Sequence, residues 1–284
     1  MNVYYYDNYS SNYNRIGNKI SEKLVNLNSN INIFYIKDNY DNKNISLNKN
    51  IVDNVEIINK YNVNKYLNSN PPDVFVSYSF RIPDIYWTLR FNKMNVHTVQ
   101  VQHGLYIKNY KRNKSIIINE MPRIISYLIY AIRIMYQSSN RMSTLSYLFK
   151  KDFKIFRNHG KIDNDVLSDT VIVWGEYWKE WYKQYLNYSN KTEFIISGSL
   201  DYELLNEDEN IIKNDDSVTY IAQTLIEDGR VEENNFFKFL NKLKKFSCEY
   251  NGLVYIKLHP RSRKEIYSDI SKLENVILTN KFPL

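Results

Sequence analysis

The 284-residue chain is 43% hydrophobic and 24% charged, the balance of a globular protein long enough for two domains with real cores. Its one cysteine, Cys248, excludes an internal disulfide, and no CxxC or Cys/His cluster offers structural zinc. Net charge is +7, but the segment from Tyr106 to Lys161 alone is +10, with twelve Lys/Arg against Glu120 and Asp152, so that segment is expected to face something anionic.

The N-terminus, MNVYYYDNYSSNYN, lacks the apolar core of a signal peptide, so a cytoplasmic, reducing location is expected. Val3–Tyr6 reads as a first strand, and Arg15–Leu27 as a helix with Ile16, Ile20, Leu24 and Leu27 on one side. The β-branched and aromatic run Ile31–Ile36 is a second strand, and Asp38–Asn54 after it is Asn-rich and loop-like. Val63–Leu67 reads as a short helix stopped by Pro71-Pro72, and Asp73–Ser79 as a buried strand. Pro83 opens a helix through Phe91, and Val96–Val101 is the next strand. That strand runs into Gln102-His103-Gly104, which puts an imidazole at the expected carboxyl edge of a sheet, beside a glycine that lets backbone approach a ligand.

Met121–Tyr136 (MPRIISYLIYAIRIMY) is the most apolar stretch, yet its 16 residues fall short of the ~20 that span a bilayer. It reads either as a helix lying in a membrane interface, with Arg123 and Arg133 reaching anionic headgroups, or as an internal helix covering the sheet. Thr170–Glu176 is a strand, and Tyr177–Leu186 is a helix whose Trp178, Trp181 and Tyr185 recur at packing spacing. Glu193–Ser199 is a further strand, ending in Gly198-Ser199-Leu200-Asp201. The acidic, aperiodic Asn206–Ser217 marks a boundary between an N-terminal domain, 1–205, and a C-terminal one, 206–284. Beyond it, a β-rich run from Thr219 ends in Glu227-Asp228-Gly229 and a helix follows. A second run, GLVYIK, ends in His259-Pro260-Arg261; a helix over Ser262–Leu273 and a strand Val276–Thr279 complete the chain.

Alternating strands and helices of this kind specify an α/β fold with parallel sheets, in which ligands bind past the carboxyl ends of the strands. A carboxylate pair at one strand end and a His/Arg pair at the next form an acid–base and phosphate-binding set. Histidine holds or gives a proton near neutral pH, and arginine forks onto phosphate oxygens. Taken singly, Glu227-Asp228-Gly229 also suits a helix N-cap and His259-Pro260 a strand-ending turn. There is no GxGxxG, P-loop or GxSxG pattern, which argues against a standard dinucleotide, NTPase or serine hydrolase site. No recognisable DNA or RNA module accompanies the basic segment, so no nucleic-acid partner is expected.

The ordered set (QHG after a strand, WGE before a helix, GSLD, EDG, then HP) resembles GT-B glycosyltransferases of bacterial surface-polysaccharide synthesis. IAQTLIEDGRVEE, YIKLHPR and NKFPL are similar to the lipooligosaccharide and capsule sialyltransferases, whose hallmarks are (D/E)(D/E)G and HP motifs. QHG with GSLD and HP is also similar to CDP-glycerol glycerophosphotransferases. The resemblance implies two Rossmann-like domains, an acceptor-side one and a nucleotide-donor-binding one. It implies an inverting, metal-independent transfer without a cofactor, from a CMP- or CDP-activated donor to a glycan or lipid-linked glycan, with peripheral contact to the inner face of an anionic membrane through 106–161. Under the sialyltransferase likeness Asp228, or Glu227 beside it, is the general base. His259, with Pro260, Arg261 and Gly229, serves the donor phosphate, and Gln102, Gly104, Gly198 and Ser199 line the cleft. Under the glycerophosphotransferase likeness His103 becomes the base. The family pattern continues past the FP segment into a strand and a Ser-Ser or Ser-Thr turn that holds phosphate, so an incomplete second domain is expected here. A non-catalytic, membrane-associated scaffold is the reading from outside the enzyme class.

Overall fold

The computed structural model describes residues 1–7, 13–38, 45–104, 121–142, 144, 148, 164–186, 188, 191–199, 216–227, 231–259 and 262–280. The described residues up to 199 form one compact unit and those from 216 onward a second.

In the first unit, β1 (Asn2–Asp7), β2 (Asn32–Lys37), β3 (Val55–Asn59), β4 (Val74–Ser77), β5 (His97–Val101), β6 (Thr170–Val173) and β7 (Glu193–Ile196) make one sheet. Its order is β3-β2-β1-β4-β5-β6-β7, and every pairing is parallel. The helices are α1 (Asn18–Leu27), α2 (Val63–Ser69), α3 (Ile82–Asn92), α4 (Met121–Gln137) and α5 (Glu176–Leu186). Side chains alternate across the sheet. Tyr4, Tyr6, Phe34, Ile36 and Phe75 enter one core with α2, α3, α4 and α5, while Val3, Tyr5, Ile33, Tyr35 and Val76 enter the other beside α1. Burial on both faces is why β1 and β2 read as unbroken apolar runs rather than alternating ones. Aromatic stacking fills the first core: Phe75 and Phe91 lie 4.3 Å apart at 11°, and Tyr4 and Phe34 4.7 Å apart at 22°.

One buried carboxylate joins the carboxyl ends of this sheet. Asp38, directly after β2, accepts hydrogen bonds at Oδ2 from the Tyr6 and Tyr130 hydroxyls, each 3.0 Å. Its Oδ1 lies 2.5 Å from Nζ of Lys60, which follows β3. Burial and then the Asp38 charge push the Tyr6 and Tyr130 phenols above their ordinary range, so both stay protonated donors. The node therefore fixes β1, β2, β3 and α4 to one point.

The second unit is a three-stranded parallel sheet, β10-β9-β8, from β8 (Ser217–Ile221), β9 (Leu253–Lys257) and β10 (Val276–Thr279). Helix α6 (Glu233–Glu249) packs Phe236 and Leu240 with Val254, Ile256 and Tyr267. The Asn275 amide ties helix end to strand start by donating to the carbonyls of Ser247, Tyr250 and Gly252, at 2.8, 3.0 and 3.2 Å.

The fold is thus α/β with two parallel sheets, as the alternation of elements predicts, but several local expectations are corrected. Strand β3 lies at the end of what reads as a loop, as an edge strand whose Glu56 and Ile57 are both exposed, so neither alternation nor an apolar run announces it. A π-helical turn, Tyr13–Gly17, precedes α1, because Gly17 lets the Tyr13 ring sit where a Cβ would be. The run from Thr219 stops being a strand at Ile221, and Leu225–Glu227 form a turn. In place of a helix over 262–273 are two short 3₁₀ turns, Lys264–Tyr267 and Ile270–Lys272. From the second turn the Ser271 hydroxyl bonds back to the Ser268 carbonyl at 2.9 Å, and the Lys272 ammonium to Asp269 at 3.0 Å, local contacts that compete with a continuous helix.

Asp38→Ala leaves an ammonium and two phenols buried without their acceptor. It is expected to lower unfolding free energy by about 3–5 kcal/mol, measured by urea denaturation.

Candidate functional site

The strand order turns back at β1 and β4: the chain steps outward through β2 and β3, returns to β4 beside β1, and then steps the other way. Such a reversal opens a crevice at the carboxyl edge. That edge holds several buried polar groups, among them Asp7, Asp38, Ser77, Ser79 and Asp84. Buried polar groups raise the cost of misplacing the loops that hold them.

Gln102-His103-Gly104 leaves β5 at this edge. Gln102 is buried, its amide nitrogen donating to the Gly104 carbonyl at 3.1 Å and its oxygen accepting the Trp174 backbone N–H at 3.0 Å. It therefore braces its own loop against the one leaving β6. The half-buried His103 places Nδ1 against the Tyr78 carbonyl, past the end of β4. A carbonyl only accepts, so Nδ1 carries the proton and the imidazole lone pair lies on Nε2, the form of a general base. Past β7, Gly198 has a φ of 74°, a left-handed turn that favours glycine, and Ser199 follows, half-buried. Helix α5 between these loops supplies packing: Trp178 and Trp181 rings are 5.9 Å apart, and Trp181 and Tyr185 5.5 Å.

In the second unit the loops after β8 and β9 meet. Glu227 Oε1 accepts the Arg263 backbone N–H at 2.8 Å. The Arg263 guanidinium reaches Glu233 Oε1, in the first turn of α6, at 3.1 Å. The His259 carbonyl accepts the Ser262 N–H at 2.8 Å, and His259 is exposed. Below them the buried Tyr267 phenol is pushed up by burial first, then by the charges of Tyr220 and Glu227. Asp228, Gly229, Pro260 and Arg261 lie outside the described residues. Within this unit the structure brings Glu227 and the segment just after His259-Pro260 together, and within the other it gathers Gln102, His103 and Gly104.

A hollow of about 360 Å³ opens beside the first turns of α6, lined by Tyr220, Leu225, Val231, Phe236 and Phe239, with Gln223 and Asn235 as polar groups. None of these groups titrates near neutral pH, so the hollow offers packing rather than proton transfer. Among the described residues no group of His, Cys, Asp and Glu is arranged to hold a metal ion.

Sequence reasoning missed two contributors. Asp38 and Lys60 sit one residue past β2 and β3, and recognising β3 in VEIIN would have placed both at the carboxyl edge. The bracing role of Gln102 leaves no mark in the sequence, since it depends on a β6 loop seventy-two residues away.

No protein-family model and no curated protein matches this chain. Among solved structures it is similar to the glycotransferase of kitacinnamycin, at 8% identity over 99% of this chain and 71% of that one, with a TM-score of 0.49. It is similar to a lipopolysaccharide outer core galactosyltransferase at 8% identity, 98% and 67% coverage and a TM-score of 0.47. The GT-B domain of a sialyltransferase from Photobacterium damselae gives 11% identity, 98% and 80% coverage and a TM-score of 0.47. At these values the likeness assigns neither family nor activity.

Gln102→Ala strands the Trp174 amide and the Gly104 carbonyl. It is expected to cost about 1–3 kcal/mol of stability in denaturant unfolding.

Proposed function

We propose that the chain is a glycosyltransferase, inverting and independent of metal, that moves sialic acid from CMP-sialic acid to a cell-surface glycan. The observation that carries this reading is the 2.8 Å bond from the Arg263 amide to Glu227. It brings Glu227, the first residue of the acidic-acidic-Gly motif, to Arg263, two residues past the His-Pro-Arg motif, and so supports a site shared by the two motifs. Residues 206–284 then serve the donor, and 1–205 the acceptor.

With Glu227 engaged by backbone, Asp228 is the base. It takes the proton of the acceptor hydroxyl as that oxygen forms its bond to the anomeric carbon. The bond from that carbon to the phosphate oxygen breaks with its electron pair on the phosphate, and CMP departs. The exposed His259 hydrogen-bonds or protonates that phosphate, and Arg261 adds positive charge beside it. Pro260 and Gly229 are assigned to the donor side, and Gly104, Gly198 and Ser199 to the acceptor side.

A second reading has one observation in its favour. The His103 tautomer, fixed by the Tyr78 carbonyl, gives a base at the first unit's edge, as a CDP-polyol phosphotransferase would use. Under the sialyl reading Asp228→Asn is expected to lower transfer by roughly 100- to 10,000-fold, with His103→Ala much milder; the reverse ranking favours the phosphotransferase.

The direct test is calorimetric titration of the full chain with CMP, CDP and UDP, beside His259→Ala. Binding of a cytidine nucleotide, weakened at least tenfold in the variant, is expected. Binding of UDP alone would overturn the cytidine donor, and no binding by any of the three would leave a non-catalytic scaffold as the better account.

A further inference from the structure

Helix α4 has two apolar faces, and among the described residues only one is buried. Tyr130, Ala131 and Ile134 are buried in the first core, where Tyr130 is held by Asp38. On the opposite side Ile125, Leu128, Ile129, Ile132 and Tyr136 recur at spacings of three and four residues and are between 44% and 66% exposed. A helix facing only water carries polar residues along such a stripe. The exposed Met142 extends the apolar surface just past the helix, at 74% exposure.

The charge around this stripe has one sign. Arg133 is exposed on the helix, and the Arg141 guanidinium lies 5.8 Å from the Tyr136 ring. No Asp or Glu occurs anywhere from Met121 to Lys151, inside the segment whose net charge is +10. Among the described residues no helix is long and apolar enough to cross a membrane. A 17-residue helix lying flat, however, presents roughly 25 Å of apolar edge.

We propose that this face of α4 is a docking surface for a bilayer rich in anionic lipid. The stripe enters the boundary between headgroups and acyl chains, and Arg133 and Arg141 pair with lipid phosphates at its margin. The complementarity selects lipid over a second copy of the chain. Two such faces pressed together would set arginines against arginines, with no carboxylate from residues 121–151 to pair with them. The inference is independent of the transfer chemistry, because none of these residues belongs to the motif loops.

The test is co-sedimentation of the full chain with extruded vesicles of phosphatidylcholine alone and of phosphatidylcholine with phosphatidylglycerol. The expected result is binding to the anionic vesicles only, weakened by raised salt, and reduced at least tenfold in Ile129→Asp. Because residue 129 is exposed, far-ultraviolet dichroism should leave that variant folded. Arg141→Glu provides a second arm that disturbs no apolar contact, and it is expected to weaken binding severalfold. No binding to anionic vesicles, or equal binding by Ile129→Asp and wild type, would overturn the proposal. So would concentration-dependent dimerisation abolished by Ile129→Asp without any vesicle binding, which would assign the face to self-association.

Discussion

The carboxylate of Asp38 is the point on which the first unit turns. An ionised carboxylate away from water costs several kcal/mol, and an ammonium beside it costs as much again. The Lys60 contact and the two phenol hydroxyls offset that cost only when all arrive in the right geometry. The penalty for partial assembly makes the node specific: three strand ends and one helix share a single acceptable arrangement. Apolar packing alone tolerates small slips between elements, whereas a buried ion pair with two further donors does not.

From that fixed point the loops of the carboxyl edge inherit their positions. Strand β1 lies beside β4, whose continuation supplies the Tyr78 carbonyl that orients His103. Gln102 then joins the β5 and β6 loops through one side chain. The second unit solves the same problem with fewer parts. There, Glu227 accepts a backbone amide from the neighbouring loop, and Arg263 turns back to the start of α6. In each unit a side chain that reads as chemical from sequence is found holding a loop in place.

Legibility in the sequence follows burial. Strands β1, β2 and β4 are covered on both faces, so their apolar runs are unmistakable, and Pro83 announces α3. Edge strand β3 has one of its three apolar residues, Ile57, in water beside the exposed Glu56, and offers no such run. The segment after His259 shows apolar spacing suited to a helix, but its serine and aspartate side chains make local bonds that break it into 3₁₀ turns. The QHG and HP histidines were legible because they follow strong strands. The Asp38 node was not, because its partners lie 22 and 92 residues away and meet only once the sheet order is known.

That separation has a consequence for a chain made from its N-terminus. Lys60 is available to Asp38 soon after β3 is synthesised, and Tyr6 is already present. Tyr130 emerges only after β4, α3 and β5 have been made. On the ribosome the charged pair can therefore close early, with Oδ2 holding only one of its two donors until α4 arrives. Docking of that helix completes the node and covers the core beneath it in one event. The helix that completes the node is thus also the one that keeps an apolar flank turned outward, and that flank is made before β6 and β7, while the sheet still lacks two strands.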